Sequence, residues 1–393
     1  MIIYNKEWLN NLHVVDLLKA DKQADRITSA EFDNIKAAHP VGFYMPGIVV
    51  RVGLFILTFI IASVSTGFLS LIVSGANVLE SPLWPIILGA ICYGSLEFFV
   101  KDKHYFHSGV DNALLYYSAC LFAGGCIWLI IDMHLNSVDT ILCAGLVCIL
   151  CTLLTFRFAD VVTTAASCVA FFAFSYFAWA KAGSFGLATM PFIMMIAAGG
   201  AYFFFNRISS NKESVNYTNC LTIAKTISLI TFYAAGNYFV VNRLNNALNG
   251  LDDSHTNIPF GYIFWLWTLL IPVVYLFIGI KKKSTMLLRI GMVLAAASVV
   301  TFRNYYHLLP IEIMLTLSGM ILLALSYTII KYLKIPRSGF TYAEPDEAGT
   351  LDSLNIEGLV IGEATSHLPP AANQPTQRFG GGTGGGGGSS GDF

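Results

Sequence analysis

Ten apolar runs of about 18 to 25 residues follow one another along the chain, over residues 52–76, 83–100, 110–131, 138–156, 161–180, 187–205, 222–241, 261–280, 285–302 and 309–331. A helix rising 1.5 Å per residue needs about 20 such residues to cross a hydrocarbon core about 30 Å thick. Each run therefore predicts one membrane span. The expected fold class is all-α, a polytopic transmembrane helix bundle of about ten spans over residues 46–334.

Before the first run, apolar positions recur with a helical period. Trp8, Leu9, Leu12, Val15 and Leu18 fall near one face of residues 6–20. Thr28-Ser29-Ala30-Glu31 then announces a second short helix, because the threonine oxygen accepts a backbone N–H while the glutamate reaches back to the cap. Phe32 and Ile35 give that helix an apolar side, and Pro40 ends it. Residues 1–45 are thus predicted to form a small helical hairpin, packed against the bundle or held for a partner. No short apolar core behind a basic cap precedes it, so a cleaved signal peptide is not expected. Residues 335–393, with Pro369-Pro370 and the closing stretch FGGGTGGGGGSSGDF, are predicted to be disordered.

Composition agrees with the pattern. Hydrophobic residues make up 55% and charged residues 12%, against about 25% charge in soluble chains, and the mean hydropathy is +0.64. A net charge of −1 offers no electrostatic case for binding nucleic acid. The hairpin, with five basic and six acidic side chains through residue 40, is too balanced to anchor on anionic lipid. The eight cysteines lie in or beside apolar runs and read as small, reduced side chains.

Charge sets an expected orientation, because basic loops resist translocation. Alternating ten spans puts eighteen Lys and Arg on the side of the N-terminus and three (Lys181, Arg243, Arg303) on the other. Both termini are therefore expected in the cytoplasm. Trp84, Trp179, Trp265 and Tyr262 fall near predicted helix ends as interfacial anchors. Pro272 interrupts WLWTLLIPVVYLF and predicts a kink, either structural or serving as a hinge.

Ionisable groups inside spans are costly, so each raises the question of a partner or a task. Glu97 stands four residues before Lys101 on one helix face, which predicts an ion pair or, alternatively, a coupling site for a proton or cation. Lys225 enters the seventh run close enough to its start to snorkel. Asn237, Arg303, His307 and Glu312 gather near the outer ends of runs seven, nine and ten. They form the candidate polar site, with three readings open: a structural Arg303–Glu312 lock, a solute or ion site, or unrelated surface positions. His104/His107 and Asp132/His134 lack further ligands at a metal-binding spacing, and HExxH, GxSxG, P-loop and DDxxD patterns are absent, so neither metal nor cofactor nor enzyme activity is implied.

Two resemblances carry further expectations. The RITSAEFDNI helix, residues 26–35, followed by many closely spaced spans, resembles bacterial predicted membrane proteins of a domain-of-unknown-function class, which implies no established activity. The tail FGGGTGGGGGSSGDF, residues 379–393, is similar to the Gly/Ser-rich, aromatic-ended C-termini of bacterial TPM-domain membrane proteins. That likeness implies a docking or assembly signal and a bacterial envelope setting, and the expected location is the inner membrane. Phe379, Asp392 and Phe393 are the groups there able to engage a cytoplasmic protein partner, the alternative being a passive spacer. Two functions follow: permease-like transport of a small solute, ion or lipid, in contact with membrane lipids; or a non-catalytic scaffold that docks partners through the hairpin and tail. A lipid-modifying enzyme ranks below both for want of a motif.

Overall fold

The computed structural model describes residues 2–23, 26–75, 77–134, 138–249 and 261–305, with ten further helical positions between 313 and 331, all inside the unit Met1–Ala348. The tail and most of the tenth run lie outside the described residues.

Twelve helices occupy the continuous segments: α1 (Lys6–Gln23), α2 (Ser29–Ala38), α3 (Ile48–Ile72), α4 (Leu83–Lys101), α5 (Val110–Asp132), α6 (Asp139–Phe158), α7 (Val161–Ala180), α8 (Gly183–Ser209), α9 (Thr218–Gly236), α10 (Tyr238–Asn249), α11 (Gly261–Lys282) and α12 (Thr285–Tyr305). The fold is an all-α polytopic bundle. Among the described residues, eight helices (α3 to α8, α11 and α12) are long and apolar enough to cross a membrane.

Short connections make neighbours antiparallel. α4 packs on α5, α6 on α7, α8 on α9 and α11 on α12. α3 leans on α5 from outside and buries only Ala62 and Thr66, so nearly its whole surface is left for lipid.

α9 is the opposite case. It touches α7, α8, α10, α11 and α12, which makes it the inner post of the second half. Thr218, Asn219, Thr222, Lys225 and Thr226 keep it out of the set of helices apolar enough to cross a membrane. Protein, rather than lipid, meets its buried face of Leu221, Ala224, Ser228, Leu229 and Tyr233. Its hydroxyls are satisfied locally, Thr222 donating to the Thr218 carbonyl and Ser228 to that of Ala224, each at 2.8 Å.

The predicted seventh span, 222–241, is not one helix. It begins earlier, at Thr218, and stops at Gly236; Asn237 is extended (φ −69°, ψ 127°), and α10 starts at Tyr238. Uninterrupted hydrophobicity hid the break, because periodicity reports what a helix faces and not whether its backbone continues.

One end of the bundle carries a cap built from the N-terminus. The Ile3 N–H donates to the Arg157 carbonyl at the end of α6 (2.9 Å), and Tyr44 exchanges backbone bonds with the 102–109 loop. Tyr4 is buried with Leu9 against Leu96, Val100, Leu114, Leu154 and Phe158, so the start of the chain shares the bundle's core. Edge-on and stacked rings of Tyr4, Trp8, Phe43 and Phe106, 4.8–6.0 Å apart, close the cap. Gly109 ends the loop at φ 100°, and a Cβ there would run into the Arg51 carbonyl oxygen, so the loop admits only glycine. The Tyr217 hydroxyl donates to the Phe156 carbonyl (2.7 Å), which puts the start of α9 on this same capped face.

Candidate functional site

The helix break lies at the other end of α9, away from the cap. A broken helix strands backbone N–H and C=O groups, and within a membrane each stranded group costs several kcal/mol unless protein satisfies it. Asn237, 3% exposed, meets part of that need. Its Oδ1 accepts from the N–H groups of Phe239 (3.0 Å) and Val240 (3.3 Å), which makes it the N-cap of α10. Its Nδ2 donates to the Tyr233 hydroxyl (2.9 Å) and to Thr301 Oγ1 on α12 (3.2 Å).

α11 supplies the remaining partner. Thr268 Oγ1, fully buried, accepts from the Tyr238 N–H at 3.0 Å and donates to the Phe264 carbonyl at 2.7 Å. One turn on, buried Pro272 has no N–H to offer the Thr268 carbonyl, so α11 is itself weakened where it supports the break. Gly236 is obligatory here, because a Cβ would strike Met195 and the Trp267 indole. Three helices thus meet at one uncharged polar knot.

Two polar atoms beside the knot are buried and have no hydrogen-bond partner among the described residues: Trp267 Nε1, lying against Gly236, and Asn242 Oδ1, one turn along α10. The other side of Asn242 is engaged, Nδ2 donating to the Tyr305 hydroxyl at 2.8 Å. Tyr238 stacks on Trp265 (4.6 Å between centroids), and Tyr305 stands edge-on to both. The region therefore offers one free donor, one free acceptor and an aromatic wall.

The other residues singled out by sequence are dispersed. Arg303 follows Thr301 by two positions, and it is Thr301, not Arg303, that reaches Asn237; Arg303 Nε is buried without a partner. Arg243 packs over the Phe239 ring at 5.5 Å. Glu97 belongs to the capped face, paired with Lys101 Nζ (2.8 Å) and Arg157 Nη2 (2.7 Å) while accepting from the Tyr93 hydroxyl (3.1 Å), so the break and Glu97 do not form one site. Lys225 Nζ donates to Ser209 Oγ at 3.2 Å. His307, Glu312, Phe379, Asp392 and Phe393 lie outside the described residues.

A groove of about 610 Å³ runs between α5 and α6, lined by apolar side chains such as Phe122, Ile130, Leu142, Ile149 and Phe174; a second, of about 440 Å³, reaches Tyr93 and Arg157. Neither touches the break. Cys148-Ile149-Leu150-Cys151 is a C-x-x-C spacing on α6, and both thiols are free. Among the described residues, no three His, Cys, Asp or Glu side chains are placed to hold a metal.

Sequence reading missed a second buried polar cluster, on the capped face. Asp111 and Asp160 are 2% and 3% exposed. Asp160 is the N-cap of α7, accepting from the Thr163 N–H (2.8 Å) and from the Tyr116 hydroxyl (2.9 Å). Asp111 Oδ1 accepts from the N–H (2.8 Å) and hydroxyl (2.9 Å) of Ser108. Asp160-Val-Val-Thr163 just after a helix end was the available signal.

No protein-family model matches the chain, and neither does any characterised protein or solved structure, so both resemblances stand on their residues alone.

Proposed function

We propose that this membrane protein is permease-like and moves a small polar solute, ion or lipid, with the α9–α10 break as its binding locus. The observation that carries this reading is the interruption of an inner helix at Asn237, braced by Tyr233, Thr268 and Thr301 from its own and two neighbouring helices. Discontinuous helices in transporters use such freed backbone and side-chain groups to hold substrate. The unpartnered Trp267 N–H and Asn242 carbonyl favour an uncharged ligand able both to accept and to donate. In this reading the protein sits in a bacterial inner membrane with both termini in the cytoplasm, supported by the eighteen-to-three asymmetry of basic residues. The capped face with Glu97 is then cytoplasmic and the break lies near the outer leaflet. The Gly-rich tail, in the same reading, offers Phe379 and Phe393 to a cytoplasmic partner.

Reconstituted proteoliposomes test the transport reading with four probes: labelled glycine, labelled glucose, ²²Na⁺ and ⁸⁶Rb⁺. Uptake of at least one above protein-free vesicles, reduced at least tenfold by Asn242→Leu with unchanged reconstitution, is expected. Background-level uptake of all four overturns the reading.

A further inference from the structure

The two grooves beside α6 are stretches of one furrow. They share Phe122, Leu150 and Leu153, and together they follow α6 from Ile141 to Arg157. At 1.5 Å per residue that is about 24 Å of helix, most of the way across a hydrocarbon core about 30 Å thick. Its origin lies in the packing: α4 packs closely on α5 and α6 on α7, whereas α5 and α6 meet over a much shorter contact, so the furrow is the seam between two helix pairs. Phe174 of α7 forms part of its floor, lying against Gly145, where a Cβ would press on the ring at 3.3 Å. The mouth faces outward, with Ile149 and Leu153 64% and 62% exposed. Since α5 and α6 are both long and apolar enough to cross the membrane, that mouth opens on lipid.

The two ends of the furrow differ. Toward Ile141 the lining is apolar, while at the capped end it reaches Tyr93 and Arg157, and among the described residues that line it Arg157 carries the only charge. The last turn of α6 places this guanidinium where a cation suits the helix dipole. α4 then fixes it: Glu97 Oε1 accepts from Arg157 Nη2 at 2.7 Å and from the Tyr93 hydroxyl at 3.1 Å. Glu97 Oε2 also holds Lys101 Nζ at 2.8 Å, so one carboxylate answers two cations and the three groups leave one positive charge. Glu97 occupies one nitrogen of a five-donor guanidinium fork, and the Lys101 side chain is 53% exposed, so donors remain for a second anion. The other charged groups of this end do not offset them within the furrow. Arg51, Asp102, Lys103, Asp111 and Asp160 stand outside its lining, and the two buried aspartates are turned to Ser108 and to Tyr116 and Thr163.

We propose that this furrow binds one anionic phospholipid, with an acyl chain laid along α6 and the phosphate held by Arg157 and Lys101. The apolar seam retains the chain by burying its methylenes, and a guanidinium fork matches the paired oxygens of a phosphate. Basic groups between spans at a membrane face are suited to lipid headgroups. A zwitterionic headgroup brings its own ammonium to the same two cations, so the residual positive charge favours a lipid of net negative charge. A chain in the seam touches both helix pairs and so fastens α4 and α5 to α6 and α7. The site is at the other end of the bundle from the helix break, and it persists if the transport reading fails.

Native mass spectrometry of the purified full chain, delipidated in detergent and then given equimolar phosphatidylglycerol and phosphatidylethanolamine, tests it. One phosphatidylglycerol is expected to stay bound under activation that strips further lipid, preferred about fivefold over phosphatidylethanolamine, which is the worth of one basic residue against an anionic headgroup. Arg157→Gln brings the two lipids to parity. Leu153→Trp, at an exposed position inside the seam, fills the furrow and lowers retention of both. Glycerol 3-phosphate, a headgroup without a chain, leaves the adduct in place. Equal retention of the two lipids by the wild type overturns the proposal, as do the absence of any retained lipid, displacement by glycerol 3-phosphate, and a preference unaltered in both variants. If Arg157→Gln does not fold, the wild-type competition and Leu153→Trp still decide it.

Discussion

The two buried polar centres of this bundle solve opposite problems. At the helix break, one neutral side chain, Asn237, caps the start of α10, ties it to hydroxyls on α9 and α12, and leaves no charge behind. At the capped face, Asp160 caps α7 while Asp111, in the first turn of α5, bonds back to Ser108, so two acidic side chains are buried close to Tyr4's end of the bundle. The neutral centre stores its cost in backbone irregularity, with two polar atoms beside it left to pair. The first therefore shapes the bundle, and the second makes stability depend on solution conditions.

The sharpest way to break the contrast is Asn237→Leu, which keeps the branched shape while removing every hydrogen bond that the Asn237 side chain makes. Two α10 N–H groups lose their cap, and Tyr233 and Thr301 lose a donor, in a site closed to water. The expected loss is about 2–4 kcal/mol, the sum of a lost cap and groups left unsatisfied. Reversible unfolding in mixed micelles measures it. A loss below about 1 kcal/mol would mean that Thr268 alone sustains the break.

The residues involved also explain what a reader of the sequence sees and misses. Membrane spans are legible because crossing lipid demands a length of apolar chain, and α3, α5 and α6 begin and end within a few residues of their predicted runs. The short helix α2 is legible because its capping box is local. The break is not, since Gly236-Asn237 is a modest stop signal inside a run that stays apolar on both sides. Thr268 and Thr301 are invisible as functional residues, because mid-helix threonines ordinarily bond back to their own helix, as both do. The Asp111–Asp160 corner escaped for a different reason. Tyr4, Asp111 and Asp160 lie far apart in the chain and at the margins of runs, while the search for costly charges looked inside them.

A second, smaller test asks how strongly the charged centre resists further charge. Tyr4 has its folded-state value raised, mainly by burial and then by the two aspartates. The unfolded chain ionises this phenol near pH 10 while the folded chain keeps it neutral. Above that pH the unfolded state binds fewer protons, so stability is whole below pH 10 and falls as pH rises further. Tyr4→Phe removes this component, and its alkaline limb, followed by tryptophan fluorescence between pH 9 and 11.5, is expected to be flatter than that of the wild type. Parallel limbs would show that the phenol does not feel the aspartates. No comparable limb is expected from Asn237, which has nothing to titrate.

The smallest effect comes from the cap helix itself, where a charge is exposed and therefore weak. Thr28 Oγ1 accepts from the Glu31 N–H (3.3 Å), and Glu31 Oε2 accepts from the Thr28 N–H (2.9 Å) and hydroxyl (2.7 Å). Those bonds, the backbone one first, draw the Glu31 carboxyl below its ordinary value of 4.5. The sign is opposite to that of Tyr4: the stabilisation is present above pH 4.5 and fades as pH falls through the lowered value. Solvent screens the group, so the loss should stay within α2 and leave the bundle intact. Amide exchange is the measurement, with faster exchange over Glu31 to Ile35 in Thr28→Val, and a wild-type rise in the same amides, beyond the intrinsic pH trend, only at acid pH. If exchange instead spread to Tyr4 and the 102–109 loop, the hairpin and the Asp111–Asp160 corner would be one cooperative unit, and the corner would inherit the acid sensitivity of a surface helix.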